Sequence, residues 1–415
     1  MKIAYVMSRF PKHTETFILY EMLAIEEQGV PVEVYPLLRQ RDAVVHQEAQ
    51  ALVERAHYMP FISIPIISSN IAAIRRNTRL YFSTLFEVLR GAFGNTNFLI
   101  GAISAFPKAV HFSKMMTEEQ VTHVHAHFSN HPAVAALIVH RLTGISFSFT
   151  AHGHDIHKDR TMLREKIAAA AFAVTVSEYN RSLMAKECPQ GDDSKIHVIH
   201  CGVDTRLFKV PVKLDHEGPI NLICVASLLE VKGHTYLIQA CKLLQDRGVN
   251  FICHLLGEGK YRTRIEKEIK LLGLGDIIKL HGACTQPRVR ELLVASDIFV
   301  LASTLTRQGA REGIPVSLME AMAVGLPVVA SNISGIPELV VNEICGFLTP
   351  PGDVNALAKS IGDLIEDGSL RRKMGAAARE VIRQDFNLES NARHLIQMFQ
   401  SASLSAPKCN DSVPD

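Results

Sequence analysis

Short apolar runs alternate with longer amphipathic stretches along most of the 415-residue chain. The first apolar run covers 2–8, a helix-type stretch ends at Gly29, and a second apolar run covers 32–37. Strands that are apolar on both faces are typical of parallel sheets covered by helices, and this spacing indicates a βαβ unit. The alternation recurs over 123–200 and again from 220 onward. The pattern therefore predicts an α/β protein with two tandem doubly wound Rossmann-like domains that face a central cleft.

A polar, proline-containing stretch separates the two sets of runs. It follows the turn Gly202-Val203-Asp204 and ends at Gly218-Pro219. Helix-type patterns continue to residue 400, and the last residues are polar, which is typical of disordered ends. The predicted divisions are an N-terminal domain (1–205), a C-terminal domain (206–385), a helix that returns to the first domain (386–400) and a disordered tail (401–415).

The segment 56–116 departs from this alternation. Prolines interrupt it, and its long amphipathic patterns carry six cations against one anion, Glu87. For any single helix we prefer the interpretation that it packs on the sheet and shows its charges to water. For the whole segment we favour contact with an anionic membrane leaflet, because basic helices with an apolar face bind such surfaces. The six cations are Arg75, Arg76, Arg79, Arg90, Lys108 and Lys114.

Composition narrows the class of protein. With 47% hydrophobic and 21% charged residues, the chain is typical of a globular protein, and a net charge of +2 excludes a strongly basic nucleic-acid binder. The eight cysteines form no C-x-x-C pair, which favours buried thiols in a reducing compartment over a disulfide framework. We find no signal-peptide pattern and no apolar span of transmembrane length. These features predict a cytoplasmic, enzyme-sized protein.

The strongest candidate chemistry follows the apolar run 298–303. Glu312 lies in a loop that contains Gly313 and Pro315, and an apolar helix-type stretch begins at Val316. A helix N-terminus at the carboxyl end of a parallel strand is a common phosphate site. Glu320 lies about one turn into this helix, and a carboxylate in apolar surroundings needs a polar partner. The stretch indicates a site for a sugar–diphosphate–nucleoside.

Two further turns follow strands of the C-terminal domain. Lys232 precedes Gly233 at the first strand–helix turn, which suits a diphosphate, although lysines at helix starts are commonly solvated. Gly257-Glu258-Gly259 resembles a dinucleotide turn. Its third glycine is missing, and no acid follows about 20 residues later at a strand end, as that fingerprint requires. The sequence therefore argues against a nicotinamide enzyme.

In the N-terminal domain, His152 leaves the end of a predicted strand within Phe149-Thr150-Ala151-His152-Gly153-His154-Asp155. A single histidine is usually a core or capping residue, but the strand-end position and the local density of histidines favour a ligand site. Zinc is the competing hypothesis, and we disfavour it because no carboxylate or cysteine completes a ligand set at usual spacing. The clustered histidines are His123, His125, His127, His131, His152 and His154.

Together these patterns resemble the family 4 retaining glycosyltransferases, two-domain enzymes of the GT-B type that use nucleotide-activated sugars. The stretch from Glu312 to Ala323 is similar to the family's E-x7-E signature, and Gly325-Leu326-Pro327-Val328-Val329-Ala330 to its continuation. The opening Ser8-Arg9-Phe10-Pro11 and the His152 motif resemble a bacterial subgroup. That subgroup builds exopolysaccharide, colanic-acid-type polymers and other surface glycans on lipid-linked acceptors.

The resemblance implies roles for the candidate residues. Glu312 would contact hydroxyls of the transferred sugar, Glu320 would hold the ribose, and His152 would lie by the donor sugar. Lys232 and the backbone of 316–318 (Val316, Ser317 and Leu318) would neutralise the leaving diphosphate, with Gly257 also in the nucleotide site. Metal is not needed in this family, and we expect no cofactor besides a donor such as a UDP- or GDP-sugar.

One position departs from the family pattern. The family usually places an arginine with the lysine on the diphosphate, and this chain has Ser227 at that position. Either Arg307 or Arg311 is a candidate replacement.

The resemblance implies transfer of a hexose-type sugar to a glycan or lipid-linked acceptor, with the acceptor chosen by 9–17 and 56–116. The C-terminal domain would bind the nucleotide-sugar, and closure of the domains would exclude water. We expect a peripheral position on the inner face of the cell membrane and no nucleic-acid partner. The alternatives are a non-catalytic nucleotide-sugar-binding protein, or an epimerase or phosphorylase on the same scaffold. No pair of carboxylates suits a glycosidase.

Overall fold

The computed structural model describes residues 1–12, 15–40, 47–189, 193–208, 218–307 and 309–405. His13 and Thr14, within the predicted acceptor region, lie outside the described residues. The chain divides into two compact units. The first contains Met1–Val176, Asn180–Ile199 and the chain from Ser390 onward, and the second contains Ser177–Tyr179 and His200–Glu389.

The first unit contains a six-stranded parallel sheet. Its order is β2-β1-β3-β4-β5-β6, so the order of strands reverses between β1 and β3, where open α/β sheets bind ligands. The strands are β1 (Ile3–Phe10), β2 (Val32–Arg39), β3 (His123–His127), β4 (Ser146–Ala151), β5 (Phe172–Thr175) and β6 (Ile196–Val198).

Most helices of the first unit follow these strands, and three helices fill the predicted 56–116 segment. The side chains of Ser63, Asn77 and Asn95 cap the three helices of that segment, α3 (Ile64–Arg76), α4 (Thr78–Gly91) and α5 (Thr96–Glu118). The helices are α1 (Thr16–Glu27), α2 (Gln50–Arg55), α3 (Ile64–Arg76), α4 (Thr78–Gly91), α5 (Thr96–Glu118), α6 (His131–Thr143), α7 (His154–His157), α8 (Leu163–Ala169) and α9 (Glu178–Ala185).

The second unit also contains a six-stranded parallel sheet, in the order β12-β11-β10-β7-β8-β9. Here the order reverses between β7 and β10, which places the turns after these two strands at the ligand-binding edge. The strands are β7 (Ile220–Val225), β8 (Phe251–Leu256), β9 (Ile278–Gly282), β10 (Ile298–Leu301), β11 (Val328–Ser331) and β12 (Gly346–Thr349).

The helices of the second unit pack on an apolar core that includes all of β10. The predicted two-sheet α/β fold is thereby confirmed. The helices are α10 (His234–Asp246), α11 (Arg262–Leu271), α12 (Gln286–Ala295), α13 (Val316–Ala323), α14 (Ile336–Leu339), α15 (Val354–Glu366) and α16 (Gly368–Asp385).

The division between the units differs in detail from the predicted 205/206 boundary. Val203 pairs with Asn387 and its amide donates to Phe386 O at 2.9 Å, so the chain from His200 belongs to the second unit. The last helix is α17 (Leu388–Ser405), and from Ser390 it belongs to the first unit. The predicted tail 401–415 begins too early, because α17 continues to Ser405. Residues 406–415 lie outside the described residues.

The described cysteines, seven in number, are all free thiols, and four of them are buried. Cys409 lies outside the described residues. No helix within the described ranges combines the length and apolarity needed to cross a bilayer.

Candidate functional site

The turn after β7 carries Lys232 and lies against the end of β10. Gly233 has a φ of +65°, and a Cβ at this position would lie 1.7 Å from Ala302 O, so glycine alone permits this approach. The amide of Thr304 donates to Val231 O at 2.9 Å and joins the two strand ends. The fold thus places Lys232 beside the loop that follows β10.

Lys232 and Glu312 form an ion pair in this position. The sequence predicts both residues in the site but not their contact, which joins side chains 80 residues apart. Their side chains are 17% and 16% exposed, so each is mostly shielded yet still reachable by a ligand. A mostly shielded ammonium and carboxylate attract more strongly than a solvated pair. The pair supplies a fixed positive charge together with an acceptor for hydroxyl groups.

The N-terminus of α13 follows Glu312 by a few residues. Pro315 caps this helix, and its carbonyl oxygen accepts from the amides of Leu318 and Met319 at 3.1 and 3.3 Å. The preceding amides of Val316 and Ser317 have no acceptor within the helix, because the first turn lacks upstream carbonyls. Such an end of a helix is a ready site for a phosphate.

Glu320 is buried in α13 and has a polar partner that the sequence did not reveal. Gln286 Nε2 donates to Glu320 Oε1 at 2.5 Å from the start of α12. Burial raises the pKa of Glu320 to about 7, against the opposing effects of the Gln286 hydrogen bond and the charge of Arg290. The acid therefore changes its charge near neutral pH. No sequence motif points to Gln286, since it is polar and opens an ordinary amphipathic helix.

Ser227 and Gly257 lie where the turns after β7 and β8 pack together. Gly257 has a φ of +139°, and a Cβ there would lie 2.0 Å from Ala226 O. Ser227 is half-buried beside this approach. Of the two candidate replacements for the family arginine, Arg307 is exposed, whereas Arg311 Nη1 donates to the hydroxyl of Tyr179. Their role at the diphosphate stays a prediction.

His152 belongs to the first unit, where a chain of hydrogen bonds orients its ring. Its Nε2 lies 2.9 Å from His127 Nδ1, and His127 Nε2 lies 3.1 Å from Glu21 Oε1. The Tyr5 hydroxyl donates to the same Glu21 oxygen at 2.7 Å. A carboxylate only accepts, so His127 carries a proton on Nε2. In the neutral ring its Nδ1 then accepts from His152, which leaves Nδ1 of His152 as an acceptor.

The environment favours the neutral form of His152. Burial and the neighbouring His127 hold the pKa of His152 well below its usual range, although Asp155 and Glu21 act in the opposite direction. For Glu21, burial acts to raise the pKa, but His127, Tyr5 and His152 together lower it. At physiological pH Glu21 is therefore an ionised carboxylate and His152 is a neutral imidazole.

Asp155 holds the loop that presents His152. Its Oδ1 accepts from the amides of His152 and Gly153 at 3.0 Å each, and its Oδ2 accepts from the amide of Ser129 at 2.6 Å. Gly153 has a φ of +127°, which favours glycine at this turn. The motif quoted from the sequence includes Asp155, and the structure assigns it this positioning contact.

Three other histidines of the cluster, His123, His125 and His131, have structural partners. His123 and His125 are fully buried on β3, and their ring nitrogens bond to hydroxyls of β4 at 2.7 to 2.9 Å. The hydroxyls belong to Ser146, Ser148 and Thr150, which alternate along one face of β4. His131 bonds to Phe98 O at 3.1 Å, and His154 is exposed. His123 and His125 therefore have a core role, and part of the histidine cluster that favoured a ligand site at His152 is structural.

The tertiary structure brings a carboxylate to two histidines of the cluster. Glu21, 106 residues from His127, completes a group with His125 and His127 whose potential ligand atoms lie within 4.8 Å of one another. Spacing along the chain could not reveal it. Both nitrogens of His125 are bonded to hydroxyls and both nitrogens of His127 to other side chains, so this group is satisfied by hydrogen bonds. The absence of a metal stays a prediction.

Two protein-family models match consecutive parts of the chain. The model described as Glycosyltransferase Family 4 matches residues 95–207, and the model described as Glycosyl transferases group 1 matches residues 208–381. The second match contains Lys232, Glu312, Glu320 and the α13 helix end. The first contains His152 and its partner His127.

Two bacterial relatives match over nearly their whole lengths. The amylovoran biosynthesis glycosyltransferase AmsK of Erwinia amylovora is 29% identical, over 96% of this chain and 99% of its own. WcaL of Escherichia coli (strain K12), whose name assigns it to colanic acid biosynthesis, is 28% identical over 97% of this chain and 100% of its own.

Solved structures share the fold. HepE of Anabaena in complex with UDP has a TM-score of 0.73 at 19% identity, covering 97% of this chain and 100% of its own. A glycosyltransferase of Rickettsia africae has a TM-score of 0.72 at 18% identity, covering 98% and 99%. HepE has also been solved with UDP-glucose.

Proposed function

The chain belongs to the GT4-type glycosyltransferases of the GT-B fold, and from that premise we propose its donor, mechanism and acceptor. It transfers a hexose-type sugar from a nucleotide-sugar to a glycan or lipid-linked acceptor, with retention at the anomeric carbon. The names of AmsK and WcaL support a place in exopolysaccharide biosynthesis. The HepE complexes support a uridine nucleotide as the first donor to test.

The observation that carries this proposal is the Lys232–Glu312 ion pair ahead of the α13 helix end. Glycosyl transfer needs positive charge at the departing diphosphate, and fixed charges and dipoles stabilise it without reorganisation. The diphosphate of the donor binds the ammonium of Lys232 and the amides of Val316 and Ser317, whereas the amide of Leu318 stays bonded to Pro315 O. The carboxylate of Glu312 then turns to hydroxyls of the transferred sugar. This arrangement needs no metal ion.

Glu320 and His152 complete the proposed donor contacts. In its ionised form Glu320 accepts hydrogen bonds from the ribose hydroxyls, while Gln286 keeps one carboxylate oxygen occupied. Neutral His152 accepts a hydroxyl hydrogen of the donor sugar at Nδ1. During transfer the bond between the anomeric carbon and the phosphate oxygen breaks, a bond to the acceptor oxygen forms, and the departing phosphate takes the acceptor's proton.

Incubation with labelled UDP- and GDP-sugars and a membrane lipid extract tests the proposal. We expect the label to enter the lipid fraction, and Glu312→Gln to reduce transfer at least about 100-fold, since a lost transition-state contact costs this much. Glu366→Gln, at an exposed position at the end of α15, is the matched control. Nucleotide-sugar binding without transfer or hydrolysis would contradict the proposal and would indicate a non-catalytic nucleotide-sugar-binding protein.

A lipid-linked acceptor is presented at a membrane surface. We therefore also propose a peripheral location on the inner face of the cell membrane.

A further inference from the structure

Exposed large apolar side chains are concentrated in one short part of the first unit. Of the eighteen such residues among the described positions, ten lie between 61 and 103. Globular proteins normally scatter exposed apolar residues singly, and a concentration of them marks an interaction site. The ten are Phe61, Ile62, Ile64, Ile67, Ile71, Phe82, Phe86, Phe93, Ile100 and Ile103, which we call the 61–103 face.

The 61–103 face follows helical spacing, so it is not a set of stray side chains. Ile64, Ile67 and Ile71 recur at intervals of three and four along α3, and Phe82 and Phe86 are four apart on α4. Residues at these intervals share one side of a helix. The opposite sides are buried, through Ile66 and Ser69 on α3 and through Tyr81, Thr84 and Val88 on α4.

Side-chain hydrogen bonds connect the three helices to one another. The side chain of Asn70 on α3 donates from Nδ2 to Pro107 O of α5 at 2.9 Å. Its Oδ1 accepts from the Tyr81 hydroxyl of α4 at 2.9 Å. Ser69 of α3 also bonds to His111 of α5 at 2.8 Å. The exposed stripes therefore sit on helices with fixed mutual positions.

The charge of this region is positive. Arg75, Arg76, Arg79 and Arg90 are exposed, and none of them forms an ion pair within the described ranges. Glu87 is the single acidic residue of 56–116, and Arg141 neutralises it through two hydrogen bonds of 2.8 and 2.9 Å. On α4 the arginines flank the phenylalanines at helical spacing, with Arg79 before Phe82 and Arg90 after Phe86.

We propose that the 61–103 face binds the surface of a bilayer that contains anionic phospholipid. The isoleucine and phenylalanine side chains enter the boundary between headgroups and acyl chains, and the four arginines contact lipid phosphates. The proposal rests on the proposed function only in that a lipid-linked acceptor would be met at this surface. Binding itself needs neither donor nor transfer.

Charge favours a membrane over a second copy of the chain. In a symmetric contact the same surface meets itself, so the four arginines would be desolvated without a carboxylate to pair with. An anionic leaflet supplies the opposite charge over the whole face.

Flotation of the full chain with phosphatidylcholine vesicles, with and without phosphatidylglycerol, tests the proposal. We expect the protein to float with the anionic vesicles and to be released by salt. The double variant Phe82→Ser, Phe86→Ser should bind at least about tenfold more weakly, since burial of apolar groups drives insertion. The double variant Arg75→Gln, Arg76→Gln should show a smaller increase in vesicle binding than the wild type when phosphatidylglycerol is added. The control Leu271→Ser, Ile344→Ser changes exposed apolar residues of the second unit and should bind like the wild type.

Three outcomes overturn the proposal: no flotation of the wild type, equal flotation of the phenylalanine variant, or a dimer that this variant abolishes. Circular dichroism and thermal unfolding of the same samples check that the variants are folded. If the protein binds vesicles but transfers no sugar, the proposed membrane contact stands and the proposed function is wrong. The two proposals can therefore fail separately.

Discussion

Glu320 is a carboxylic acid whose charge depends on the helix that buries it. In the unfolded chain it titrates near 4.5, and in the folded protein its pKa is raised to about 7 by burial. The folded state holds this proton more tightly than the unfolded state. The contribution of protonated Glu320 to the free energy of unfolding is therefore complete below pH 4.5 and is lost as the pH rises through 7. A ribose that hydrogen-bonds to the carboxylate favours the ionised form and opposes this effect of burial.

We predict that Glu320→Gln flattens the pH dependence of stability. As the pH rises from 4.5 to 7, the free energy of unfolding of the wild type should fall by about 3 kcal/mol relative to that of the variant. Each pH unit between the two pKa values of Glu320 lowers the stability of the wild type by about 1.4 kcal/mol. Urea unfolding of both proteins from pH 4.5 to 8 measures the difference. A constant difference at every pH would show that Glu320 does not titrate in this range.

The orientation of His152 depends on a carboxylate that does not touch it. Glu21 accepts from Tyr5 and from His127, and His127 in turn sets the proton position on His152. Partners of this kind fix the tautomer of a functional imidazole. Glu21 is thus a positioning residue for the proposed donor contact.

We predict that Glu21→Leu lowers transfer about 10- to 100-fold, as loss of a partner that orients a histidine does elsewhere. The conservative Glu21→Gln keeps an acceptor and should restore most of the activity. Affinity for UDP should be unchanged in both, because the proposed nucleotide contacts lie in the second unit. If both variants lose activity equally, or if their nucleotide affinity falls, the positioning role is wrong.

At the scale of elements, the candidate site depends on how closely the strand-end turns pack. The turn before α10 approaches the end of β10 so closely that position 233 has no room for a side chain. Gly257 makes a similar approach between the turns after β7 and β8. The glycines therefore position Lys232 and Ser227 by bringing backbones together.

We predict that Gly233→Ala destabilises the second unit by about 3 kcal/mol or more and weakens nucleotide binding, because its Cβ would meet Ala302 O. Gly248→Ala is the matched control. It shares a positive φ of +75° but has no atom within 4 Å of the added carbon, so it should cost only about 1–2 kcal/mol. Thermal unfolding and UDP titration measure both effects. Equal losses in the two variants would show that backbone strain, and not the close approach, controls this turn.

At the scale of the whole molecule, the chain returns at its end to the unit where it began. Phe399 of α17 is fully buried, with its ring 5.1 and 5.2 Å from those of His123 and His125 on β3. The first unit therefore needs residues from both ends of the sequence, whereas nearly all of the second is continuous. Loss of the C-terminal helix should affect the first unit foremost.

We predict that Phe399→Ala destabilises the first unit by about 3–5 kcal/mol, the usual cost of emptying a buried aromatic site. Leu404→Ala on the same helix changes a side chain that is 87% exposed and should stay within about 0.5 kcal/mol. Hydrogen exchange of β3 should report the loss, while exchange of β7 and β10 should not. Uniform loss of protection in all three strands would contradict this division.

Several features of this protein were determined by the sequence alone. The alternation of apolar runs and amphipathic stretches predicted both parallel sheets, because hydrophobic periodicity is a local property of the chain. Glycine and proline marked the turns, so Lys232, Glu312 and His152 were correctly expected at strand ends. The concentration of cations in 56–116 is likewise a property of the residue order, since it needs only a count of charges along the chain.

Only the tertiary structure decided which side chains meet. Gln286 reaches Glu320, Lys232 pairs with Glu312, and Glu21 orients His127 across long stretches of sequence. Strand order and register bring these partners together, and neither is encoded in any local pattern. The sequence likewise showed a cluster of histidines, but it did not show that His123 and His125 bond to hydroxyls on a neighbouring strand. A residue's type and position can be predicted locally, but its partner depends on how the whole sheet is assembled.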